Sequence, residues 1–270
     1  MLTSTTRVAA LTLACAAAFG FSVQAGARVS HAHGGHRSGE QSTRWHGTRA
    51  SGENGAQVGH GVKVTRDRED DTASRTRGTK VTGPNGGTAM HGTKITRDAE
   101  NGTITRTRGT KVAGPNGGTG THVSQTVYGP DGTVTHNGGS NVTGPNGGTA
   151  SGQNNYTRNA DGSAEFTHTS SGTSANGTSV SHSAGWTKGA GDDTRTGTAQ
   201  TTVNGANGGT YNSSAAVGNG TATRDTTATT ANGATFNGQT TYTKGEGLTH
   251  TATCTDAQGN TIACPQPKQH

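Results

Sequence analysis

The segment Arg75–Thr88, Arg-Thr-Arg-Gly-Thr-Lys-Val-Thr-Gly-Pro-Asn-Gly-Gly-Thr, returns almost unchanged as Arg106–Thr119. Aligning 61–91 with 92–122 gives 21 identities in 31 positions. The Gly-Pro-Asn-Gly-Gly element starts at Gly83, Gly114 and Gly144, and degenerate copies follow at Asn176-Gly177-Thr178 and Asn207-Gly208-Gly209-Thr210. A repeat of about 30 residues marks a chain built from stacked supersecondary units rather than around one closed core. Each period holds two turn signals. One is the Gly-Pro-Asn-Gly-Gly element. The other is an acidic or Asx turn, as in Asp67–Asp71, Asp98–Gly102, Gly129–Gly132 and Asn159–Gly162. Between them run segments of about ten residues with period-two alternation, the pattern of strands. In 103–113, Thr103, Thr105 and Thr107 point to one side and Ile104, Arg106, Arg108, Thr110 and Val112 to the other.

The expected fold is all-β. Short turns favour antiparallel neighbours, because parallel pairing needs a crossover, so an elongated meander of β-hairpins is the first reading. A β-solenoid with one coil per repeat is the second, and a partly disordered Gly/Thr chain the third. The register argues against disorder: Val81, Val112 and Val142 recur at equivalent places, as do Ile104 and Val134. Asn-Gly occurs twelve times and predicts type I′ turns, whose two central residues both need positive φ.

Composition sets the limit on thickness. Hydrophobic residues are 26% of the 270, Thr (52) outnumbers Gly (46), and Leu248 is the only leucine after residue 25. That is too little apolar surface to offset chain entropy through a thick core. Helical bundles, Rossmann-type enzymes and multi-pass membrane proteins are excluded on this ground. There is also no Gly-x-Ser-x-Gly, P-loop, Gly-x-Gly-x-x-Gly or His-Glu-x-x-His motif, so a non-enzymatic protein without a cofactor is expected.

Four segments are expected. Residues 1–25 read as a secretory signal peptide: Arg7, an apolar run from Val8 to Phe21, and small residues at Val23 and Ala25. The mature chain then has no membrane span and is secreted, extracellular or held at the cell surface, with the periplasm as the alternative. Residues 26–61 read as a His/Gly-rich flexible linker, 62–250 as the hairpin repeats, and 251–270 as a terminal hairpin and tail. Cys254 and Cys264 flank turn-forming sequence, and export permits a disulfide between them.

Two segments, Tyr128-Gly-Pro-Asp131-Gly132-Thr133 and Tyr156-Thr-Arg-Asn-Ala-Asp161-Gly162, place a tyrosine shortly before an Asp-Gly turn. With the tandem hairpins around them, they resemble bacterial secreted tandem-hairpin proteins, loosely including the YD-repeat family. The Gly-Arg-Leu part of that family's pattern is absent and the period is longer, so its toxin-encapsulating role does not carry over.

Charge is uneven. The total is +6, but Lys63–Lys111 holds 11 basic and 6 acidic residues and Val112–His270 holds 6 and 8. Cations recur in phase: Arg66 with Arg97, Arg75 with Arg106, Arg77 with Arg108, and Lys80 with Lys111. His136 and His168 fall near the Arg75/Arg106 column. Such a ladder suits a polyanion, with extracellular DNA or acidic polysaccharide as partners. Its competing role is a solvated face that blunts edge pairing. No aromatic interleaving supports base stacking. His31, His33, His36 and His46 form a candidate transition-metal cluster without a defined geometry, and His91 and His122 are repeat-equivalent. The Thr-rich side suggests an alternative function, a soluble ice-binding or carbohydrate-binding module. The leading expectation is a structural or interaction protein of the bacterial surface or extracellular matrix, which self-associates through exposed strands and binds anionic polymers.

Overall fold

In the computed structural model the described residues are 28–191 and 194–264. The expected signal segment lies outside them. They form one open antiparallel sheet of 17 strands. β1 (Arg28–Ser38), β2 (Gln41–Ser51), β3 (Gln57–Asp67), β4 (Thr72–Thr82), β5 (Thr88–Asp98) and β6 (Thr103–Ala113) have eleven residues each. β7 (Thr119–Tyr128), β8 (Val134–Thr143), β9 (Thr149–Arg158), β10 (Ala164–Thr173) and β11 (Ser179–Lys188) have ten. β12 (Thr196–Asn204), β13 (Thr210–Gly218), β14 (Thr221–Thr229), β15 (Thr235–Thr243) and β16 (Gly247–Thr255) have nine, and β17 (Thr261–Ile262) has two. Every strand pairs with the next in sequence, from Arg28↔Ser51 at one edge to Cys254↔Ile262 at the other. The hairpin meander is therefore the observed fold, and the solenoid is not: a strand bonds its hairpin partner, not its copy one repeat away.

The sheet begins earlier than the sequence suggests. Residues 28–38 and 41–51, expected as linker, are two full strands in register over eleven pairs. Glycine and histidine hide the alternation there. Gly34 would place a Cβ 2.9 Å from the Trp45 ring, so the indole occupies the space that a side chain on β1 would fill. An aromatic lying over a cross-strand glycine supports an edge strand of this kind.

One rim of the sheet is uniform. The turns at 52–56, 83–87, 114–118, 144–148, 174–178, 205–209, 230–234 and 256–260 share one hydrogen-bond pattern. In the second of them the Gly83 N–H donates to the Gly87 carbonyl (2.8 Å) and the Gly86 N–H to the Gly83 carbonyl (3.1 Å). The fourth residue is a glycine at positive φ, 82° for Gly86. This is a type I turn closed by a left-handed glycine bulge. It corrects the type I′ expectation: the Asn before that glycine keeps an ordinary φ. Only Asn219-Gly220 has both angles positive, 52° and 77°, in the two-residue turn between β13 and β14.

The opposite rim varies, and the length of the period varies with it. From Gly83 to Gly114 the count is a five-residue turn, eleven residues of β5, a four-residue turn and eleven of β6, giving 31. From Gly205 to Thr230 it is five, nine, two and nine, giving 25. In the β3–β4 turn Asp71 stands at φ 43°, and its repeat-equivalent Gly102 in the β5–β6 turn stands at φ 63°. A Cβ on Gly102 would lie 2.9 Å from the Pro130 Cβ. Gly102→Asp is therefore expected to destabilise the sheet by about 1–2 kcal/mol from the left-handed backbone alone, with the contact adding to it. A lowered denaturant midpoint measures this, and an unchanged midpoint contradicts it.

Side chains bury little. Val62, Ala164 and Cys254 are the buried apolar residues among those described, joined by Thr93 and Ser213. The sheet is a single layer with two solvated faces, held by backbone ladders and cross-strand pairs. At its end Cys254 and Cys264 are bonded, with Cα atoms 5.3 Å apart, and this bond pins the tail beside β16. The acidic turns are capped by their own carboxylates. Asp131 accepts from the Thr133 N–H (3.0 Å), Asp161 from Ser163 (2.9 Å), Asp98 from Asn101 (2.9 Å) and Asp256 from Asn260 (2.8 Å). These bonds hold the four carboxyls below the ordinary aspartate range; the side-chain contact leads at Asp98, Asp161 and Asp256, the Thr133 amide at Asp131. A lowered folded pKa means the caps add stability at neutral pH and lose it as pH falls through the folded value.

Candidate functional site: two faces of opposite character

Register decides which side chains share a face. Arg75 stands directly between Val64 and Ile95, and Ile95 between Arg75 and Arg106. With Arg44 opposite Val64, one row reads Arg44, Val64, Arg75, Ile95, Arg106 across five strands. The adjacent row reads His46, Val62, Arg77, Thr93, Arg108. Arg66 and Arg97 share a third row, on either side of Ala73. All three expected arginine pairs thus lie on one face, two strands apart, or about 9.6 Å. The buried residues sit among them: Thr93 lies directly between Arg77 and Arg108, and Val62 between His46 and Arg77. Long cationic stems cover such positions while their charged heads stay in water. Arg106 Nε is buried without a hydrogen-bond partner.

Lys80 and Lys111 are different. They share a row, on either side of Met90, but it lies on the opposite face. The expected single ladder is therefore two, because in a strand an odd spacing reverses the side and Lys80 is three residues from Arg77. His136 lies in the Arg75/Arg106 row and His168 in the Arg77/Arg108 row.

Extending the rows over the whole sheet separates the charges. The strand carboxylates Asp67, Asp98, Glu165 and Asp225 all project on the lysine side. The arginine face carries none. It holds Arg37, Arg44, Arg66, Arg75, Arg77, Arg97, Arg106, Arg108, Arg158, Lys188 and Arg224. It also holds every described histidine except His36. One row alternates His31, Thr48, His60, Thr79, His91, Thr110, His122 across seven strands. The imidazole Nδ1 of His31, His60 and His91 lies 3.2, 3.0 and 3.0 Å from the hydroxyl of Thr48, Thr79 and Thr110. His182 repeats the contact with Thr201 at 2.9 Å. The recurrence of His60, His91 and His122 at 31 residues was the available signal for this row.

The four-histidine metal set is divided. His33 is directly opposite His46, with His31 beside it, but His36 projects from the other face. No group of three or more His, Cys, Asp or Glu among the described residues is arranged to hold a metal ion. Aromatics are present where the sequence suggested none. Tyr156, Phe166 and Trp186 continue the Arg75/Arg106 row on three adjacent strands. Trp186 lies 6.1 Å from Phe166 and 6.2 Å from Tyr156, and the Arg195 guanidinium lies 4.3 Å over its ring. Across strands the contact is obvious; in sequence the three are ten and twenty residues apart.

Threonine forms files on the lysine side, the first of them beside the uniform rim. Thr82, Thr88, Thr119, Thr143, Thr149 and Thr173 follow in one row, interrupted by Ala113. A second file, Thr43, Thr65, Ser74, Thr96 and Thr105, crosses five strands before Val127, while the row beside it breaks up, as Thr107 faces Lys94 and Gln125. The chain presents separate lines of hydroxyls there rather than a filled two-dimensional array. No helix of the described residues is long and apolar enough to cross a membrane.

No protein family, curated protein or solved structure matches this chain.

Proposed function

We propose that this protein is a secreted, non-enzymatic interaction protein of the bacterial surface or matrix that lays its arginine face on an anionic polymer. The observation that carries this reading is charge segregation: eleven strand Arg and Lys on a face without a strand carboxylate. Solubility alone would not need the signs sorted by face. Arginine forks match phosphate oxygens in pairs, which favours DNA on this face. The half-buried strip of Tyr156, Phe166 and Trp186 adds aromatic rings in the same line.

Self-association follows from the edges. β1 has a neighbour on one side only, so eleven residues of backbone face solvent, an invitation to a further strand. The other edge is partly closed by β17 and the disulfide. Sedimentation of the full mature chain with double-stranded DNA across a salt series tests the reading. Co-sedimentation at 50 mM salt that disappears as salt rises is expected. Absence of binding at 50 mM, or binding indifferent to salt, overturns it.

A further inference from the structure

Gly47, Gly61, Gly78, Gly92 and Gly109 stand directly opposite one another on five adjacent strands, β2 to β6. They lie on the lysine side, at mid-strand, and Gly47, Gly78, Gly92 and Gly109 line an open groove of about 790 Å³. Glycine in a strand interior weakens it by losing more entropy than other residues and packing nothing. The fold does not ask for it here. None of the five has a positive φ. An added Cβ would meet a neighbouring carbonyl oxygen at 3.7 Å for Gly61, 3.5 Å for Gly78, 3.6 Å for Gly92 and 4.0 Å for Gly109, and the fit is tight at Gly47 alone, 3.3 Å from the His60 carbonyl. The remaining reason for a file of missing side chains is close approach of something else to the backbone.

The walls say what approaches. On one side Arg49, Lys80 and Lys111 stand on β2, β4 and β6, with Met90 between the lysines. On the other side of the glycine row Lys63 and Lys94 stand on β3 and β5, with Thr76 between them and Trp45 of β2 at the end of the row. These two rows and the glycine row contain no carboxylate. Taken along the groove the cations alternate sides, one per strand, advancing about 4.8 Å each time. We infer that the groove is a track for a linear 1,4-linked polyuronate lying across the strands. In a two-fold ribbon of such a polymer successive carboxylates project to opposite sides, and each ring advances by about one strand spacing. A sugar ring lies flat on the glycine floor, and each carboxylate meets a cation from alternating walls. A phosphodiester strand would need a stacking partner for each of its bases, and these rows offer a single ring, Trp45, at their β2 end.

This site is on the face opposite the arginines and stands apart from the proposed function. The test uses a fluorescently labelled mannuronate octamer and the full mature chain. Wild type is expected to bind it and not a neutral 1,4-glucan of equal length. Gly78→Val with Gly92→Val fills the floor with strand-forming side chains, and affinity is expected to fall at least tenfold with the melting temperature unchanged or raised. Lys63→Gln with Lys94→Gln removes one wall without touching the floor, so it reads the site even where the valine variant folds poorly; a tenfold loss is again expected. Unchanged affinity in the lysine variant, glucan binding equal to uronate binding, or equal binding of a single-stranded oligonucleotide overturns the inference. Loss of uronate binding only when Arg75, Arg77, Arg106 and Arg108 are replaced would overturn the groove and leave the arginine face standing.

Discussion

Replacing Arg75, Arg77, Arg106 and Arg108 together with glutamine is expected to lower DNA affinity about four-thousandfold at 0.1 M salt. Each phosphate contact by a cation contributes about 0.9 to the slope of log K against log salt. Four contacts contribute about 3.6, and at 0.1 M the same counterion release amounts to about 3.6 decades of affinity. The four side chains form two adjacent rows on β4 and β6, so a polymer crossing those strands meets them together. Glutamine keeps part of each stem over Val62 and Thr93, which limits the change to the charge. Lys80→Gln with Lys111→Gln is the matched control. It removes two cations from the same two strands but from the opposite face, and the slope for DNA should stay as it was. Equal slopes in the quadruple variant and wild type would show that the arginine face is not where DNA lies.

The strands and their sides were legible because the repeat keeps apolar residues in phase. Thr103, Thr105 and Thr107 oppose Ile104, Arg106 and Arg108 in the sheet as in the alternation. Val81, Val112 and Val142 do share a row, and so do Ile104 and Val134. The disulfide was legible from two cysteines around a turn. Three things were not. β1 and β2 use Gly, Ser and His where strands normally show Val and Ile, so their alternation has no hydrophobic contrast. Turn type depends on whether one or two residues take positive φ, and Asn-Gly serves both. Above all, the faces emerge only from cross-strand register. Arg77 and Lys80 look like one basic cluster in sequence and lie on opposite sides in space. The glycine file is equally hidden: Gly47, Gly61, Gly78, Gly92 and Gly109 follow at intervals of 14, 17, 14 and 17, which becomes a line only when hairpins fold the chain back.

Replacing His60 and His91 together with alanine is expected to lower the stability of the sheet by about 1–3 kcal/mol. Each imidazole Nδ1 lies 3.0 Å from the hydroxyl of the threonine directly opposite, Thr79 and Thr110. A single-layer sheet has no thick core to hide such a loss, because cross-strand pairs are the units that stabilise it beside the backbone ladder. The two contacts recur one repeat apart, so the double variant removes the same bond twice on neighbouring hairpins. His60→Ala with Thr79→Ala closes a double-mutant cycle and separates the bond from the loss of the ring. A coupling of about 0.5–1.5 kcal/mol is expected from denaturant midpoints. A cycle that closes with no coupling would mean that these contacts do not hold the strands together.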